Sequence, residues 1–433
     1  MASITREYAK AIINKLGSSG TPPEFGVELF TIGLDKYLRV IEEEYLLSLL
    51  KYRLSSFKVV VGNYGGGKTH FLYLVRNLAF RHNYACAYVP LSPVECPFDK
   101  LELVYKQIAL NLSPPLREEE LLKPLPKGIE FFIKNWHSEF QSQTTSSESE
   151  MTSPLAVSEY LKSLPTTESS SFANAVKSAF FACATGDDEA FSALIQWLKG
   201  EEIPKDVRVR YRISERIEKT NAFRMIRSLA QWICAIGYSG LVLLFDEAER
   251  GMSISSSRDK RRALDNLRQI IDECGNARLP GTMFFYAIPN EETLLDGSGG
   301  VYEALKQRLR SSFTKTNPSG AKINLEELDM PPELFLKELS VKLSEIFSFA
   351  YNISFPTREL EKTRDLLIKN CLSAYLFDVS YRRLFILALI EIFFRLKENP
   401  KNPLREEEIK EILKVRAMKM EEKEREEVEK EEF

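Results

Sequence analysis

A glycine-rich segment in the first quarter of the chain has the residues and the spacing of a phosphate-binding loop. Residues 62–69 read Gly-Asn-Tyr-Gly-Gly-Gly-Lys-Thr, which fits the pattern GxxxxGK[ST]. Glycines let backbone N–H groups curl around a phosphate, and the start of the following helix favours an anion. The Lys68 ammonium can reach the β- and γ-phosphates, and the Thr69 hydroxyl can bind Mg²⁺. The predicted phosphate-binding residues are Gly62, Asn63, Tyr64, Gly65, Gly66, Gly67, Lys68 and Thr69.

A second apolar run ends in two acidic residues. Residues 241–247 read Leu-Val-Leu-Leu-Phe-Asp-Glu, which is a Walker B pattern. Asp246 at the strand tip can hold Mg²⁺, and Glu247 can orient and polarise the attacking water. An acidic pair after a strand can also be a solvated turn, but the glycine-rich segment in the same chain disfavours that reading. GTPases and kinases lack a glutamate directly after this Asp, so the pair favours ATP hydrolysis over nucleotide storage, with Glu247 as the catalytic residue.

Both motifs need a parallel sheet to position them, and the chain supplies the strands for one. Apolar runs bounded by turn residues predict strands over 57–61, 85–91, 241–245 and 282–288, with a weaker one over 322–325. A helix over 68–81 makes the first two strands a βαβ unit, which implies parallel pairing. About 150 residues separate the second and third strands, far more than a crossover needs, so a helical insertion is expected.

The predicted fold class is α/β, a P-loop parallel sheet flanked by helices, with the insertion and an all-helical C-terminal lid. Lid helices are expected over 333–347, 357–372 and 380–396, and an N-terminal helix over about 34–54. Ten Ser and five Thr in residues 141–171 indicate an exposed or weakly structured loop inside the insertion. The expected division is a helical lead-in 1–56, an ATPase core 57–112 and 218–330, the insertion 113–217, the lid 331–403 and a charged tail helix 404–433.

Composition excludes several classes of protein. The chain has 59 Lys and Arg against 62 Asp and Glu, and residues 421–433 alone carry −5, so the body is slightly basic and the tail acidic. Six scattered cysteines and three histidines without ligand spacing argue against a disulfide framework or a zinc site. The N-terminus lacks a signal-peptide core, and the longest apolar run, 384–394, contains Glu391 and is too short to span a membrane. A soluble cytoplasmic protein is expected.

Two sequence blocks resemble a known family. Residues 57–72, FKVVVGNYGGGKTHFL, and 237–249, GYSGLVLLFDEAE, resemble the ATP-binding proteins of BREX phage-defence systems of the BrxD type. The approach segment Phe-Thr-Ile-Gly at 30–33 and His70 after the loop are also similar to that family, and the resemblance covers about 28–110 and 190–310. It implies an AAA+-like, origin-recognition-like ATPase with ATP and Mg²⁺ as cofactors, acting on DNA beside a helicase. It also implies that Ile32, Gly33 and His70 lie at the nucleotide.

An AAA+ layout implies further roles, each with a plainer alternative. Asn290, after the fourth strand, corresponds to a polar sensor residue, although Pro289 before it departs from the pattern and an ordinary turn is the alternative. Arg308 and Arg310 fall where such ATPases place an arginine finger that completes a neighbour's site, or else form a solvated basic face. Arg382, with Arg383, is placed as a lid arginine at the nucleotide, or as an ion-pair partner of Asp378.

Nucleic-acid contact and the mode of action stay open at this point. Alternating arginines over 207–213 predict an extended segment with one basic face, and further basic residues lie at 258–262 and 306–310. Such clusters can bind phosphates, or they can keep an exposed strand soluble. The first hypothesis is a homo-oligomeric Mg²⁺-dependent ATPase that remodels or loads a DNA-associated complex with a helicase or other DNA-processing partner. The rival is a nucleotide-gated scaffold that recruits a helicase or nuclease with little turnover.

Overall fold

The structure is a computed structural model of the 433-residue chain. It describes residues 4–117, 119–122, 125–144, 153–251, 256–276, 278–290, 307, 309–327, 329–375, 380–399 and 404–432.

Six strands form one sheet whose order across the sheet is β3-β2-β4-β5-β1-β6. The pairs β2–β4, β4–β5, β5–β1 and β1–β6 are parallel, and only β3 runs antiparallel to its neighbour β2. The five strands predicted from the sequence are confirmed, while the two-residue β3 was not predicted. The strand bounds are β1 Ser56–Val61, β2 Tyr84–Pro90, β3 Leu112–Ser113, β4 Gly240–Asp246, β5 Thr282–Ile288 and β6 Lys322–Asn324.

Helices cover both faces of the sheet, which explains why its central strands are apolar almost throughout. Along β4 alternate residues enter two cores: Leu241, Leu243 and Phe245 face one side, Val242 and Leu244 the other. The described α-helices are α1 Arg6–Ser19, α2 Asp35–Val40, α3 Lys68–Arg81, α4 Leu101–Asn111, α5 Ile129–Thr144, α6 Pro154–Ser163, α7 Ser170–Thr185, α8 Asp188–Leu198, α9 Lys205–Arg210, α10 Ala222–Ala235, α11 Ala248–Gly251, α12 Ser257–Gly275, α13 Pro332–Tyr351, α14 Thr357–Tyr375, α15 Tyr381–Glu398 and α16 Glu406–Glu432.

The predicted helical insertion is present between β3 and α10, and it shares a core with one face of the sheet. Trp136 of α5 is central to this core, because its ring lies 4.1 Å from Phe180 of α7 and 5.7 Å from Trp232 of α10. Two local predictions here differ from the structure. Part of the Ser/Thr-rich stretch is helical, since it includes the end of α5 and the whole of α6, which Ser153 caps by accepting the N–H of Ala156; residues 145–152 of the stretch lie outside the described residues. The residues over 207–213 are not extended but include the end of α9.

The predicted N-terminal helix over 34–54 is interrupted. The structure has α2, then a π-helical turn at Ile41–Leu46 and a 3₁₀ turn at Leu49–Tyr52. The wide turn is anchored where the Tyr45 hydroxyl donates to the Pro318 carbonyl, a tertiary contact that local periodicity does not encode.

The three predicted C-terminal helices are confirmed as α13, α14 and α15, and α1 packs against α13 and α15. The last helix, α16, packs through Ile409, Ile412, Leu413 and Met420. None of the helices in the described ranges has the length and apolar composition needed to cross a membrane.

Candidate nucleotide site

The segment 62–69, called the glycine-rich loop below, connects the end of β1 to the start of α3. The N–H of Gly62 donates to the carbonyl of Ile288 on β5 at 3.1 Å, which holds the loop at the carboxyl edge of the sheet. Gly65 and Gly67 have φ values of 71° and 94°, in the left-handed region where glycine is favoured. The α-helix begins at Lys68, so the first unpaired N–H groups of α3 face the loop. The loop therefore has the geometry that anion binding requires.

The side chain of Lys68 lies within this loop. Its ammonium donates to the carbonyls of Gly62 at 2.8 Å and Asn63 at 3.2 Å, and it lies 5.2 Å from the ring centre of the half-exposed Tyr64. The lysine is held by neutral carbonyl oxygens in these contacts. A phosphate oxygen is a stronger partner for an ammonium than a carbonyl, so the lysine can exchange toward an anion bound by the loop.

Thr69 and Asp246 are 177 residues apart in sequence and touch at the sheet edge. The Thr69 hydroxyl donates to Asp246 Oδ2 at 2.6 Å, and the hydroxyl of Tyr88, near the end of β2, donates to the same oxygen at 2.7 Å. Burial, with the negative charge of Asp246 next in effect, raises the pKa of Tyr88 well above its usual value, so this phenol stays a donor. A hydroxyl and a carboxylate are ligands that Mg²⁺ accepts alongside water and phosphate, so the donor set fits that ion.

Glu247, the second residue of the acidic pair, stands at a strained position. Its φ is +52°, which is unusual for a residue with a side chain and marks a functional or tightly constrained turn. Its N–H donates to Asp246 Oδ1 at 2.9 Å, and its carboxylate is paired with Arg250 at 2.8 Å. Arg250 lies in the short α11, so Glu247 is restrained by a residue three positions later in the chain.

The approach segment packs against the first turn of α3. Thr31 Oγ1 and His70 Nε2 are 2.8 Å apart, and the rings of Phe30 and His70 are 5.0 Å apart. Desolvation lowers the pKa of His70 to about 4, so the ring is neutral at neutral pH. Ile32 is buried and Gly33 has φ +72°. The segment is fixed to the C-terminal helices, since Lys342 of α13 donates to the Thr31 carbonyl at 2.7 Å.

Arg382, at the start of α15, reaches the glycine-rich loop. Its guanidinium donates to the Gly66 carbonyl at 3.0 Å and lies 3.5 Å from the carboxylate of Glu326. The neighbouring Arg383 donates instead to the carbonyl of Ser19 at the end of α1, at 2.7 Å. The alternative partner Asp378 lies outside the described residues.

The other predicted site residues, Asn290, Arg308 and Arg310, follow β5 in the chain. Asn290 lies exposed two residues after β5, the strand that stands between β1 and β4 in the sheet. Arg310 is exposed, and Arg308 lies outside the described residues. The described contacts do not bring Arg310 to the glycine-rich loop.

Two residues at the site were missed by the sequence analysis, Tyr88 and Glu326. Both lie within two residues of the carboxyl end of a parallel strand, β2 and β6 respectively. That position is the only signal that could have identified them, because the ends of parallel strands meet at one edge.

A comparison with protein families agrees with this geometry. The family described as "BREX system ATP-binding protein BrxC/D" matches residues 4–411, and the chain therefore belongs to that family. The match runs through the segment between β3 and α10 and through α13–α15, beyond the blocks on which the sequence resemblance rested. Among curated proteins and among solved structures no significant match was found.

Proposed function

Because the chain belongs to this BREX family and its glycine-rich loop meets the acidic pair, we propose that it is a Mg²⁺-dependent ATPase. The observation that carries the proposal is the 2.6 Å contact between the Thr69 hydroxyl and Asp246. It joins the two motifs whose combination distinguishes a nucleotide-hydrolysing site from a glycine turn. The family description supports ATP as the nucleotide.

The strand order supports an AAA+-like build. One strand, β5, separates the glycine-rich loop strand β1 from the acidic-pair strand β4, and Asn290 follows that intervening strand. A polar residue there lies between the two motifs, as a γ-phosphate sensor requires. In this proposal residues 57–112 and 218–330 are the ATPase core, 113–217 the insertion and 331–403 the lid.

The proposed chemistry divides among few residues. The N–H groups of the glycine-rich loop and Lys68 bind the phosphates, and Thr69 with Asp246 holds Mg²⁺. The bound metal ion would neutralise charge on the β- and γ-phosphates. Glu247 orients and polarises the attacking water once its carboxylate has left Arg250 and accepts a hydrogen bond from that water instead. Arg382 reaches the nucleotide from α15, and Ile32, Gly33 and His70 line the base side.

The proposed biological role is phage defence, in which ATP turnover remodels or loads a DNA-associated complex with a helicase or another DNA-processing protein. A homo-oligomer would let Arg308 or Arg310 of one subunit complete the site of the next. Basic residues of α12, among them Arg258 and Arg261, are exposed just after the acidic pair and offer a surface for phosphates.

One observation favours the second candidate, a nucleotide-gated scaffold with little turnover. Glu247 is held in an ion pair by Arg250 at 2.8 Å, and in that arrangement its carboxylate is committed to another partner. A protein that keeps this pair when ATP binds would change shape without hydrolysing quickly.

ATP turnover by the wild type and Glu247→Gln, with and without DNA, separates the candidates. Glu338→Gln is the matched control, because Glu338 is an exposed residue on α13. For an ATPase we expect Glu247→Gln to lose about 100-fold or more in turnover while still binding ATP, and the control to be unchanged. ATP binding without hydrolysis in every condition would refute the ATPase and support the nucleotide-gated scaffold. Absence of ATP binding would refute both.

Light scattering tests whether the subunits assemble, as an arginine supplied by a neighbouring subunit requires. Assembly with ATP that fails in the absence of nucleotide supports an arginine supplied by a neighbour. A protein that stays monomeric at high concentration with ATP bound would refute that role for Arg308 and Arg310.

A further inference from the structure

A carboxylate lies against the glycine-rich loop, where a negatively charged ligand is to bind. Glu326 Oε1 accepts the N–H of Asn63 at 2.9 Å, and Glu326 Oε2 lies 3.5 Å from the guanidinium of Arg382. One side chain therefore contacts both the loop and the arginine that α15 brings to it.

The sheet topology places Glu326 there. Strand β6 runs parallel to β1 with Asn324 opposite Val61, and the N–H of Leu325 donates to the Val61 carbonyl at 2.8 Å. The chain then turns, with the N–H of Glu326 donating to Asn324 Oδ1 at 3.1 Å. The residue after this turn emerges beside the first residues of the glycine-rich loop.

The carboxylate lies close to the backbone of the loop at Gly66. A Cβ atom on Gly66 would lie 2.5 Å from Glu326 Oε1 and 2.9 Å from the Asn63 carbonyl oxygen. The Asn63 carbonyl is backbone and by itself requires glycine at position 66, whereas Glu326 Oε1 is the end of a flexible side chain that an added Cβ would displace. The carboxylate therefore packs directly against the backbone of the loop.

Arg382 is well embedded in the same contact. Its side chain is only 12% exposed, compared with 32% for Glu326, and it also donates to the carbonyls of Gly66 at 3.0 Å and Leu325 at 3.4 Å. Its guanidinium lies 5.2 Å from the ring centre of Phe335 on α13. The arginine therefore links α13 and α15 to the loop.

Nucleotide phosphates would compete with Glu326 for this arginine. A polyphosphate in the loop places negative charge within a few ångströms of a carboxylate that is only partly solvated, which is repulsive. The same charge attracts the guanidinium, for which phosphate is a bidentate partner as good as a carboxylate.

We propose that Glu326 is a positioning residue for Arg382: it holds the arginine against the glycine-rich loop, and bound phosphate takes the arginine over. The exchange would couple nucleotide binding to the position of α15. This inference rests on the proposed ATP site, and it adds a residue that lowers nucleotide affinity in return for that coupling.

Glu326→Gln tests the inference, because the amide oxygen can still accept from Asn63 while the charge is removed. The matched control is Glu327→Gln, which loses the same charge one residue away; Glu327 accepts from Asn324 Nδ2 at 2.8 Å and has no described contact with the loop. Binding of a fluorescent ATP analogue to the full chain with Mg²⁺ is the readout. We expect Glu326→Gln to bind the ATP analogue about tenfold more tightly than the wild type. This lies between the repulsion that a carboxylate and a phosphate have in water and the repulsion that they have in the protein interior. The control should change less than about twofold, as expected for a screened surface charge.

Two further comparisons distinguish charge from structure. Competition with ADP and with adenosine should show the gain for ADP and none for adenosine, which carries no phosphate. In an Arg382→Gln background, Glu326→Gln should give a clearly smaller gain, because one of its two effects is the release of that arginine. A gain that extends to adenosine, weaker ATP binding, or a change equal to that of Glu327→Gln would overturn the inference.

The outcome also separates this inference from the function beneath it. A wild type that binds no ATP refutes the ATP site. A wild type that binds ATP, with Glu326→Gln behaving like the control, refutes only the role of Glu326.

Discussion

Lys58 gives a prediction that can be worked out from the structure. It lies on β1, four residues before the glycine-rich loop, and is 1% exposed. Its ammonium donates to the hydroxyl of Tyr45 and the carbonyl of Gly320, each at 2.6 Å, and to the Pro318 carbonyl at 3.3 Å. It also lies 4.9 Å from the ring centre of Phe313. No carboxylate is among its described ion-pair partners.

Burial lowers the pKa of Lys58 to about 7, from 10.5 for an ordinary lysine. Between these two values the unfolded chain holds a proton that the folded chain has released, so the free energy of unfolding rises with pH. The contribution is complete above pH 10.5 and is lost as the pH falls through 7. Integrating the linkage relation from pH 7 to pH 9 gives a gain of about 2 kcal/mol from this residue alone.

Lys58→Met isolates that contribution. Methionine is apolar, has a similar length and suits an aromatic site. Urea denaturation of wild type and Lys58→Met at pH 7, 8 and 9 should show the wild type gaining about 2 kcal/mol relative to the variant. The quantity to compare is the difference in unfolding free energy between wild type and variant, because other groups also titrate in this range. Burial raises the pKa of the Cys96 thiol to about 12, and such a group makes the folded chain less stable as the pH rises.

Lys51→Met is the control, since Lys51 is an exposed lysine close to Tyr45 in sequence. Its pH dependence should run parallel to that of the wild type. Parallel curves for wild type and Lys58→Met would refute the reasoning, because they would mean that Lys58 keeps the same proton in the folded and unfolded chains.

Three other predictions follow from a hydrogen bond, a close backbone approach and the charge of the tail. Tyr88→Phe removes the hydrogen bond that the phenol donates to Asp246, the proposed Mg²⁺ ligand. Loss of a residue that holds a metal ligand in place typically weakens metal binding, so the affinity for Mg²⁺ should fall about tenfold in a Mg²⁺ titration of ATP-analogue binding. An unchanged Mg²⁺ affinity would show that Tyr88 does not support the metal ligand. Gly240→Ala places a Cβ 2.0 Å from the Gly281 carbonyl oxygen and should lose about 3 kcal/mol in urea denaturation, whereas Gly275→Ala, which meets nothing within 4 Å, should not. Deleting residues 421–433, beyond the packed Met420, should tighten DNA binding at low salt if the acidic tail shields a basic surface; equal affinity would make the tail a solubility feature.

The sheet and its two motifs could be predicted because their signals are local. Residues 62–69 and 241–247 each carry their own spacing; β2, β4 and β5 are largely apolar runs, and β1 is one that is interrupted by Lys58. Parallel pairing brings the carboxyl ends of these strands to one edge of the sheet, so the two motifs are expected on that edge. The direct contact of Thr69 with Asp246 is seen only in the structure.

What could not be predicted depends on tertiary contacts. The alternating arginines over 207–213 have the period of a strand, yet Val207 packs against the core while Val209 is 68% exposed, which suits the helical α9. Likewise the stripe over 34–54 has helical period, but the hydroxyl of Tyr45 is drawn to Pro318 and the helix becomes a wide turn. Tyr45 and Pro318 are 273 residues apart in sequence, and the core against which Val207 packs is formed by other elements, so neither contact can be read from the local pattern.

The cations at the candidate site share one property that bears on how the protein would work. Lys68 is bound to loop carbonyls, Arg250 to Glu247, and Arg382 to Glu326. Each would therefore exchange a protein partner for a phosphate rather than acquire a first one. The net gain on binding is then smaller than the strength of the new contacts, since each old contact must be lost. In return two of these exchanges would each free a group: Glu247 would become available to a water molecule, and Arg382, leaving Glu326, would release α15. In a site arranged in this way, part of the free energy of nucleotide binding drives a conformational change and does not appear as affinity. Both an ATPase that drives remodelling and a nucleotide-gated scaffold require such a coupling.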